Sequence, residues 1–202
     1  MPIPLQKAIT KPNSRLILAS SSPRRKDLLG GLIKEFDVVS ADVSEWINHP
    51  DGPESLVLKN AKLKSFQVAD SFPCDWVIGA DTLVTLRGET FGKPADLNEA
   101  KSMLTRLSGK THQVLTGICL VNRALDVCRS ESVCTDVSFR KLDRMMIDNY
   151  FEQVDPLDKA GAYAIQTCPE MIVNSYEGSL SNVIGLPIEL LQELFKEYQI
   201  SG

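Results

Sequence analysis

An acidic residue follows one of the most apolar segments of the chain. Residues 76–80 read as a buried strand, and Asp81 and Thr82 come directly after it. A carboxylate at the end of a rigid strand can project into a cleft, where its oxygens suit Mg²⁺ or Mn²⁺ bridging to phosphate groups. A turn aspartate bonded to its own loop explains the same residues equally well.

A second group of polar residues surrounds a predicted helix start. Ser20 to Ser22 lead into Pro23, Arg24 and Arg25, where a serine can cap the helix and proline suits its first position. Free backbone N–H groups at a helix N-terminus attract anions, and arginine guanidinium groups match pairs of phosphate oxygens. The segment therefore predicts a phosphate site, with a solvated basic helix start as the alternative.

Other charged residues are candidates on chemistry alone. Lys93 stands between a glycine and a proline, so its backbone is constrained and its charge could neutralise phosphate. Three lysines, Lys59, Lys62 and Lys64, share one predicted helix, and spacing alone does not say which of them faces a cleft. Glu45 is one acid in an acidic loop, and each of these residues could equally be solvated.

Small residues precede a terminal amide in residues 158–166, where the segment ends at Gln166. Alanine and glycine allow another surface to approach the backbone closely. An amide both donates and accepts hydrogen bonds, so it can read the polar edge of a nucleobase. The alternative is a packed strand that ends in a surface glutamine.

Composition limits the classes of function. The chain has 202 residues, 43% of them hydrophobic, and a formal net charge of −4, so it has no general attraction for nucleic acid or anionic membranes. Five cysteines without a C-x-x-C pair and only two histidines disfavour a disulfide framework or a zinc site. We expect a reduced, cytoplasmic protein with a loose tail at residues 1–14 and one domain at residues 15–202.

The hydrophobic pattern alternates between strands and helices, which predicts a mixed α/β fold. One predicted helix begins at residue 23. The others span residues 53–72, 97–107, 143–151 and 187–198. The predicted strands are 15–19, 36–39, 76–80, 83–86, 90–91, 114–121, 127–129, 133–139 and 171–176, with a further strand within 156–166.

Six ordered segments together resemble the Maf family: 18–25, 77–82, 92–94, 107–114, 156–166 and 182–187. They span most of the chain. The resemblance implies a two-lobed α/β fold, similar to the inosine triphosphate pyrophosphatase group, with a central mixed sheet and a deep cleft. It also implies hydrolysis of a nucleoside triphosphate between its α- and β-phosphates, with Mg²⁺ or Mn²⁺, and a homodimer is common among such proteins.

The resemblance also implies roles for individual residues. Asp81 corresponds to the proton acceptor and, with Glu45, to a metal ligand, while Lys93 and Lys62 correspond to active-site lysines. The remaining implied residues contact phosphates or influence substrate choice, and they are Ser20, Arg24, Arg25, Thr82 and Gln166.

The form of residues 160–166 resembles the branch that prefers dTTP and UTP. Several positions depart from common family patterns, namely Gly92, Ala164, residues 167–170 and Ser179. These departures affect the base pocket more than the reaction. Two alternatives therefore stay open: the same reaction on CTP, a modified purine or a broader set of triphosphates, and a non-catalytic, nucleotide-sensing regulator of cell division.

Overall fold

The computed structural model describes residues 14–201, and a mixed seven-stranded sheet runs through it. The predicted tail, residues 1–14, lies outside the described residues except for Ser14. The division into a tail and one domain stays a prediction. The strands are β1 (Leu16–Ala19), β2 (Asp37–Val38), β3 (Trp76–Leu86), β4 (Glu89–Phe91), β5 (Thr111–Asn122), β6 (Val127–Phe139) and β7 (Val173–Glu177).

Seven α-helices accompany the sheet in the described part of the chain. Several begin at a side-chain cap: Ser22 accepts from Arg25 N, as predicted, and Asp96 and Asp143 cap later helices in the same way. The helices are α1 (Pro23–Leu32), α2 (Pro53–Ser71), α3 (Leu97–Leu107), α4 (Arg144–Phe151), α5 (Pro169–Ile172), α6 (Leu180–Ile184) and α7 (Ile188–Glu197).

The long strand β3 changes partner along one of its edges. Its first half pairs in parallel with β1, as far as Gly79 opposite Ala19, and its second half pairs with β4 from Val84 onward. The other edge pairs continuously with β5, antiparallel. Among the described residues, positions 80–83 therefore have no neighbouring strand on one side, and this break in the sheet contains Asp81.

Two glycines allow α2 to lie unusually close to the sheet at that break. A Cβ atom on Gly79 would overlap the carbonyl oxygen of Ala61, and one on Gly117 would lie 2.6 Å from backbone atoms of Val57. Gly117 is also the partner of Asp81 in the β3–β5 register. The glycines thus bring one face of α2 against the acidic residue.

Four strand predictions need correction. Segments 76–80 and 83–86 form one strand, β3, which pairs with β5 through both segments, so Asp81 lies within a strand rather than at its end. Residues 156–166 contain no strand but turns and a short 3₁₀ helix at Ala160–Ala162, because Gly161 has a φ of 69° and breaks any extended run. Segments 127–129 and 133–139 form one strand, β6, which pairs with β5 over its whole length. The predicted strand 171–176 begins two residues later, since α5 occupies Pro169–Ile172.

Two main apolar clusters pack on either side of the break. One gathers β1, α1 and α7 around the first half of β3, including Ile78 and Ala80. The other gathers α3 and α4 around its second half and β4, including Val84 of β3 and Phe91 of β4. The predicted mixed α/β class, with a central mixed sheet and a cleft between two lobes, is confirmed. Within residues 14–201, none of the helices has the length and apolarity that crossing a membrane requires.

Candidate active site

A cavity of about 680 Å³ opens at the break in the sheet. Eight of the nine predicted site residues line it: Ser20, Arg24, Arg25, Glu45, Asp81, Thr82, Lys93 and Gln166. Its lining includes five cationic side chains and three carboxylates, an excess of positive charge in a chain whose formal net charge is −4. The charge of the cavity lining therefore favours an anionic ligand over a cationic one.

A lysine joins the two predicted catalytic acids. The Nζ atom of Lys64 lies 2.7 Å from Oδ1 of Asp81 and 2.9 Å from Oε2 of Glu45. The side chains of Lys64 and Asp81 are only 11% and 14% exposed, whereas Glu45 is half exposed. Lys64, on α2, thus compensates the charge of the buried Asp81, and Glu45 contacts the same lysine from a loop.

Lys62 does not lie in the cavity, contrary to the prediction. Two residues along a helix correspond to a rotation of about 200°, so Lys62 points away from the face that holds Lys64. It is exposed, and its Nζ atom lies over the ring of Phe66. The lysine that contacts the predicted catalytic acids is Lys64.

Asn60, which the sequence reading missed, completes the contacts of Asp81. It lies one helical turn before Lys64, it is 2% exposed, and its Nδ2 atom donates to Oδ2 of Asp81 over 3.1 Å. The same side chain bonds the backbone N–H and carbonyl of Trp46, next to Glu45. The pattern of buried positions on α2 could have identified both residues, because Leu56, Val57, Asn60, Ala61, Lys64, Ser65, Val68 and Ala69 form one continuous face.

Arg25 spans the break in the sheet from the other side. Its guanidinium donates to the carbonyl of Ala80 over 3.0 Å, to Oγ1 of Thr82 over 3.1 Å and to the carbonyl of Gly185 over 2.9 Å. A weaker contact reaches Oγ of Ser20, which is itself buried. Arg25 thus occupies the position where β1 has ended and holds its charge at the cavity wall.

Arg24 and Lys93 lie nearer the cavity mouth. Arg24 Nη1 contacts Oδ2 of Asp158 over 2.6 Å, and Lys159 contacts the other oxygen of the same carboxylate. Lys93 is exposed, and its neighbour Gly92 accepts a backbone hydrogen bond from Gly161 over 3.0 Å. Asp158 is a further site residue that the sequence reading placed only within a motif.

Buried aromatic residues hold the segment that leads to Gln166. Tyr150 donates its hydroxyl to the carbonyl of Ala164 and accepts from the N–H of the same residue, over 3.1 and 3.0 Å. Tyr163 bonds His112 Nε2 over 2.9 Å. Gln166 itself is exposed at the cavity lining, so a fixed backbone presents a free amide.

Comparisons with known proteins identify the family of the chain. The family model for Maf-like proteins matches residues 15–198. The chain belongs to the Maf family. Two curated relatives are a dTTP/UTP pyrophosphatase of Clostridioides difficile, 42% identical over 91% of this chain and 94% of its own, and one of Myxococcus xanthus, 46% identical over 86% and 87%. The solved structure of the Staphylococcus aureus Ham1 protein shares the fold, with a TM-score of 0.56, 18% identity and coverage of 91% and 98%.

For both acids of this Maf protein, burial raises the pKa and neighbouring cations lower it, and the balance differs between the two. Burial raises the pKa of Asp81 above its ordinary value, although Lys64 and Arg25 act against that rise. Burial also tends to raise the pKa of Glu45, but the hydrogen bond and charge of Lys64 outweigh it, so the pKa falls. The acid deeper in the site is therefore the better proton acceptor of the two.

The oxygen donors of this Maf site suit a hard divalent cation. Asp81 and Glu45 both line the cavity, and Mg²⁺ is commonly held by one or two carboxylates together with substrate phosphates. No group of three or more His, Cys, Asp or Glu side chains positioned to hold a metal occurs in residues 14–201. The residues present thus fit an ion that arrives with phosphate ligands, rather than one enclosed by protein alone.

Proposed function

We propose that this protein hydrolyses dTTP and UTP to the nucleoside monophosphate and pyrophosphate. The observation that carries the proposal is the buried Asp81–Lys64–Glu45 cluster in a cavity with an excess of cations. Relatives that match most of the chain have that activity in their names. A triphosphate tail needs cationic contacts along its length together with an acid that can take a proton from water.

In the proposed mechanism, a water oxygen attacks the α-phosphorus while Asp81 accepts the proton of the water. The bond from the α-phosphorus to the bridging oxygen breaks, and the electron pair leaves with pyrophosphate. Arg25 and Lys93 offset the charge on the phosphates, and Lys64 takes the active-site role that the sequence reading gave to Lys62. Placement and electrostatics supply most of the acceleration in such transfers.

We further propose Mg²⁺ or Mn²⁺ as the cofactor, with Asp81 and Glu45 as its protein ligands. When bound, such an ion neutralises phosphate charge and polarises the phosphoryl oxygen. Lys64 already connects the two carboxylates, so the protein keeps them close to one another with a positive charge between them. Both acids thus stay within reach of one phosphate-bound ion.

For base selection, we propose Gln166 together with Arg24 and Thr82. The support for Gln166 is its exposed amide on a segment whose backbone is fixed by Tyr150. We also propose a cytoplasmic location, which rests on the cysteine usage of the sequence alone. A homodimer stays a prediction.

The test is a panel of triphosphates at equal concentration, with and without Mg²⁺, in which pyrophosphate release is measured. We expect dTTP and UTP to give the highest kcat/KM, and chelation of the metal to abolish release. Preference for CTP or a modified purine would overturn the base assignment while leaving the reaction intact. Binding of nucleotide without any pyrophosphate release would overturn the enzymatic proposal.

A further inference from the structure

We infer that Asn60 is a positioning residue that aims the Asp81 carboxylate and ties the Glu45 loop to α2. The inference rests on the proposed function, since it assigns Asn60 a part in that reaction. Asn60 acts through its neighbours, because its own amide is already occupied by them. No other described residue bonds both Asp81 and the backbone beside Glu45.

Each hydrogen-bonding group of the Asn60 amide has a defined partner. Its Oδ1 atom accepts from the N–H of Trp46 over 2.8 Å, while Nδ2 donates to the carbonyl of Trp46 over 3.0 Å and to Oδ2 of Asp81 over 3.1 Å. Both amide hydrogens and the oxygen therefore have partners. Because Trp46 N–H can only donate and the Asp81 carboxylate can only accept, these contacts fix which end of the amide faces which partner.

Few other side chains could make these contacts. Aspartate would place a second carboxylate against Asp81 and lose both donors. Glutamine is one carbon longer in a position that is only 2% exposed. Leucine has a similar volume but leaves the Trp46 backbone groups and one Asp81 oxygen without this partner, which is costly in a buried setting.

The helix makes Asn60 and Lys64 act on the two oxygens of one carboxylate. They are four residues apart on α2, so their side chains lie on the same face, one turn apart. Lys64 contacts Oδ1 of Asp81, and Asn60 contacts Oδ2. These two contacts from one rigid helix fix the rotation of the Asp81 carboxylate plane. Asn60 also bonds the backbone of Trp46, which holds the loop of Glu45 against the same helix.

Asn60→Leu tests the inference, with Asn122→Leu as the matched control. Asn122 is equally buried, and it also bonds backbone groups, the carbonyl of Cys74 and the N–H of Leu125, but it does not line the cavity. We expect Asn60→Leu to lower kcat for UTP by about 10- to 100-fold, because misplacing a reacting group costs on that order. KM should change by less than about threefold, and the control should keep both constants near wild type.

Coupling to Asp81 separates positioning from general destabilisation. If Asn60 acts through Asp81, then Asn60→Leu has little further effect on kcat in an Asp81→Asn background. An effect of full size in that background would overturn the inference. So would an Asn60→Leu enzyme with wild-type kcat.

Trp46 supplies a readout that needs no activity. The chain has two tryptophans, and Trp76 is 1% exposed while Trp46 is 46% exposed, so acrylamide quenching reports mainly on Trp46. We expect faster quenching in Asn60→Leu but not in Asn122→Leu, because only the first releases the loop. Unchanged quenching would contradict the claim that Asn60 ties the loop.

Asn60→Asp is the second test variant, for use if Asn60→Leu fails to fold. It keeps an oxygen that accepts from Trp46 N–H, so part of the contact to the loop remains. We expect its kcat to fall as far as in the leucine variant, with quenching between that of wild type and Asn60→Leu. A normal kcat in the aspartate variant would overturn the inference. If the wild-type protein releases no pyrophosphate at all, the proposed function fails, whereas the quenching result still decides the structural part.

Discussion

Two regions of the cavity differ in how they hold their charged groups. The inner wall, defined as Asn60, Lys64 and Asp81, is built from one helix and one central strand and is almost entirely buried. The rim, defined as Arg24, Asp158, Lys93 and Gln166, comes from a helix start and three turns. Asp158, which pairs with Arg24 in the rim and also with Lys159, is half exposed.

We infer from this difference that the inner wall serves catalysis and the rim serves substrate selection. Groups on rigid elements keep their geometry and act in a poorly solvated site, where charge is worth more than in water. Groups on exposed turns are screened and can change partners at low cost. We therefore expect changes in the inner wall to reduce turnover, and changes at the rim to alter KM or substrate ranking.

The largest expected effect comes from removing the cation of the inner wall. Lys64→Met leaves Asp81 and Glu45 without their shared partner, and we expect kcat to fall by about 100- to 1000-fold, the usual size for loss of one electrostatic contact in an active site. Steady-state pyrophosphate release from UTP measures it.

Lys62→Met is the matched control, because it makes the same substitution on the same helix. Lys62 faces solvent over Phe66, so its kcat should stay within about twofold of wild type. Equal losses at the two positions would remove the distinction between them, and a loss only at Lys62 would reverse it.

The close approach of α2 gives the next effect. In Gly117→Ala, the new Cβ would meet the Val57 backbone at 2.6 Å and push α2 away from Asp81. We expect the free energy of unfolding to fall by about 1–3 kcal/mol, as in overpacked cores, together with a lower kcat. Denaturant unfolding and UTP turnover are the measurements.

Gly31→Ala is the comparison for that change. Gly31 lies in α1, and a Cβ there would meet no atom within 4 Å. Alanine should leave stability unchanged or raise it by up to about 1 kcal/mol, since it favours a helix over glycine. A Gly117→Ala protein as stable and active as Gly31→Ala would show that the inner wall does not need the close contact.

Low pH should destabilise the fold through His112, which bonds Tyr163 in the segment that leads to Gln166. Burial lowers the pKa of His112 from 6.5 to about 4, and its Nδ1 atom has no partner among the described residues. Because the folded pKa lies below the unfolded value, the stability from neutral His112 is present above pH 6.5 and is lost as the pH falls toward 4. At pH 5 the loss is about 2 kcal/mol on this basis.

Urea unfolding at pH 7 and pH 5 measures that loss. His112→Gln replaces the imidazole with an amide that does not titrate, so the difference in unfolding free energy between the two pH values should shrink by about the same amount. An unchanged difference in the variant would mean that His112 does not contribute to the acid sensitivity.

The smallest effect is expected at the rim itself. Asp158→Ala frees Arg24 and Lys159 from a half-exposed carboxylate, so both can turn toward phosphate. An exposed ion pair is worth about 1 kcal/mol or less, which corresponds to a fall in KM for UTP of up to about fivefold with kcat unchanged. A fall in kcat instead would assign Asp158 to the chemical step.

The sequence predicted the fold class from local hydrophobic patterns, whereas the site residues were predicted from local motifs together with the family resemblance. The apolar segment before Asp81, the Pro23 helix start and the Gly161 segment each identify their own neighbourhood. Eight of nine predicted residues accordingly meet in one cavity. Their catalytic and binding roles stay predictions that the variants above test.

The sequence reading failed where the answer depended on a face or a partner. Lys62 and Lys64 are alike in type, and only the buried face of α2 separates them. Leu63 and Phe66 are apolar, yet neither belongs to that face, so the apolar residues of α2 do not by themselves identify it. Asp158 became a site residue only through Arg24, which is distant from it along the chain.

The central claim is that the Asp81 carboxylate, held by Lys64 and Asn60, takes the proton of the attacking water. The most direct measurement is the single-turnover rate of pyrophosphate release from bound UTP in Asp81→Asn with Mg²⁺ present. We predict a rate lower by about 100-fold or more, given the usual size of general-base effects. A rate near that of wild type would contradict the account.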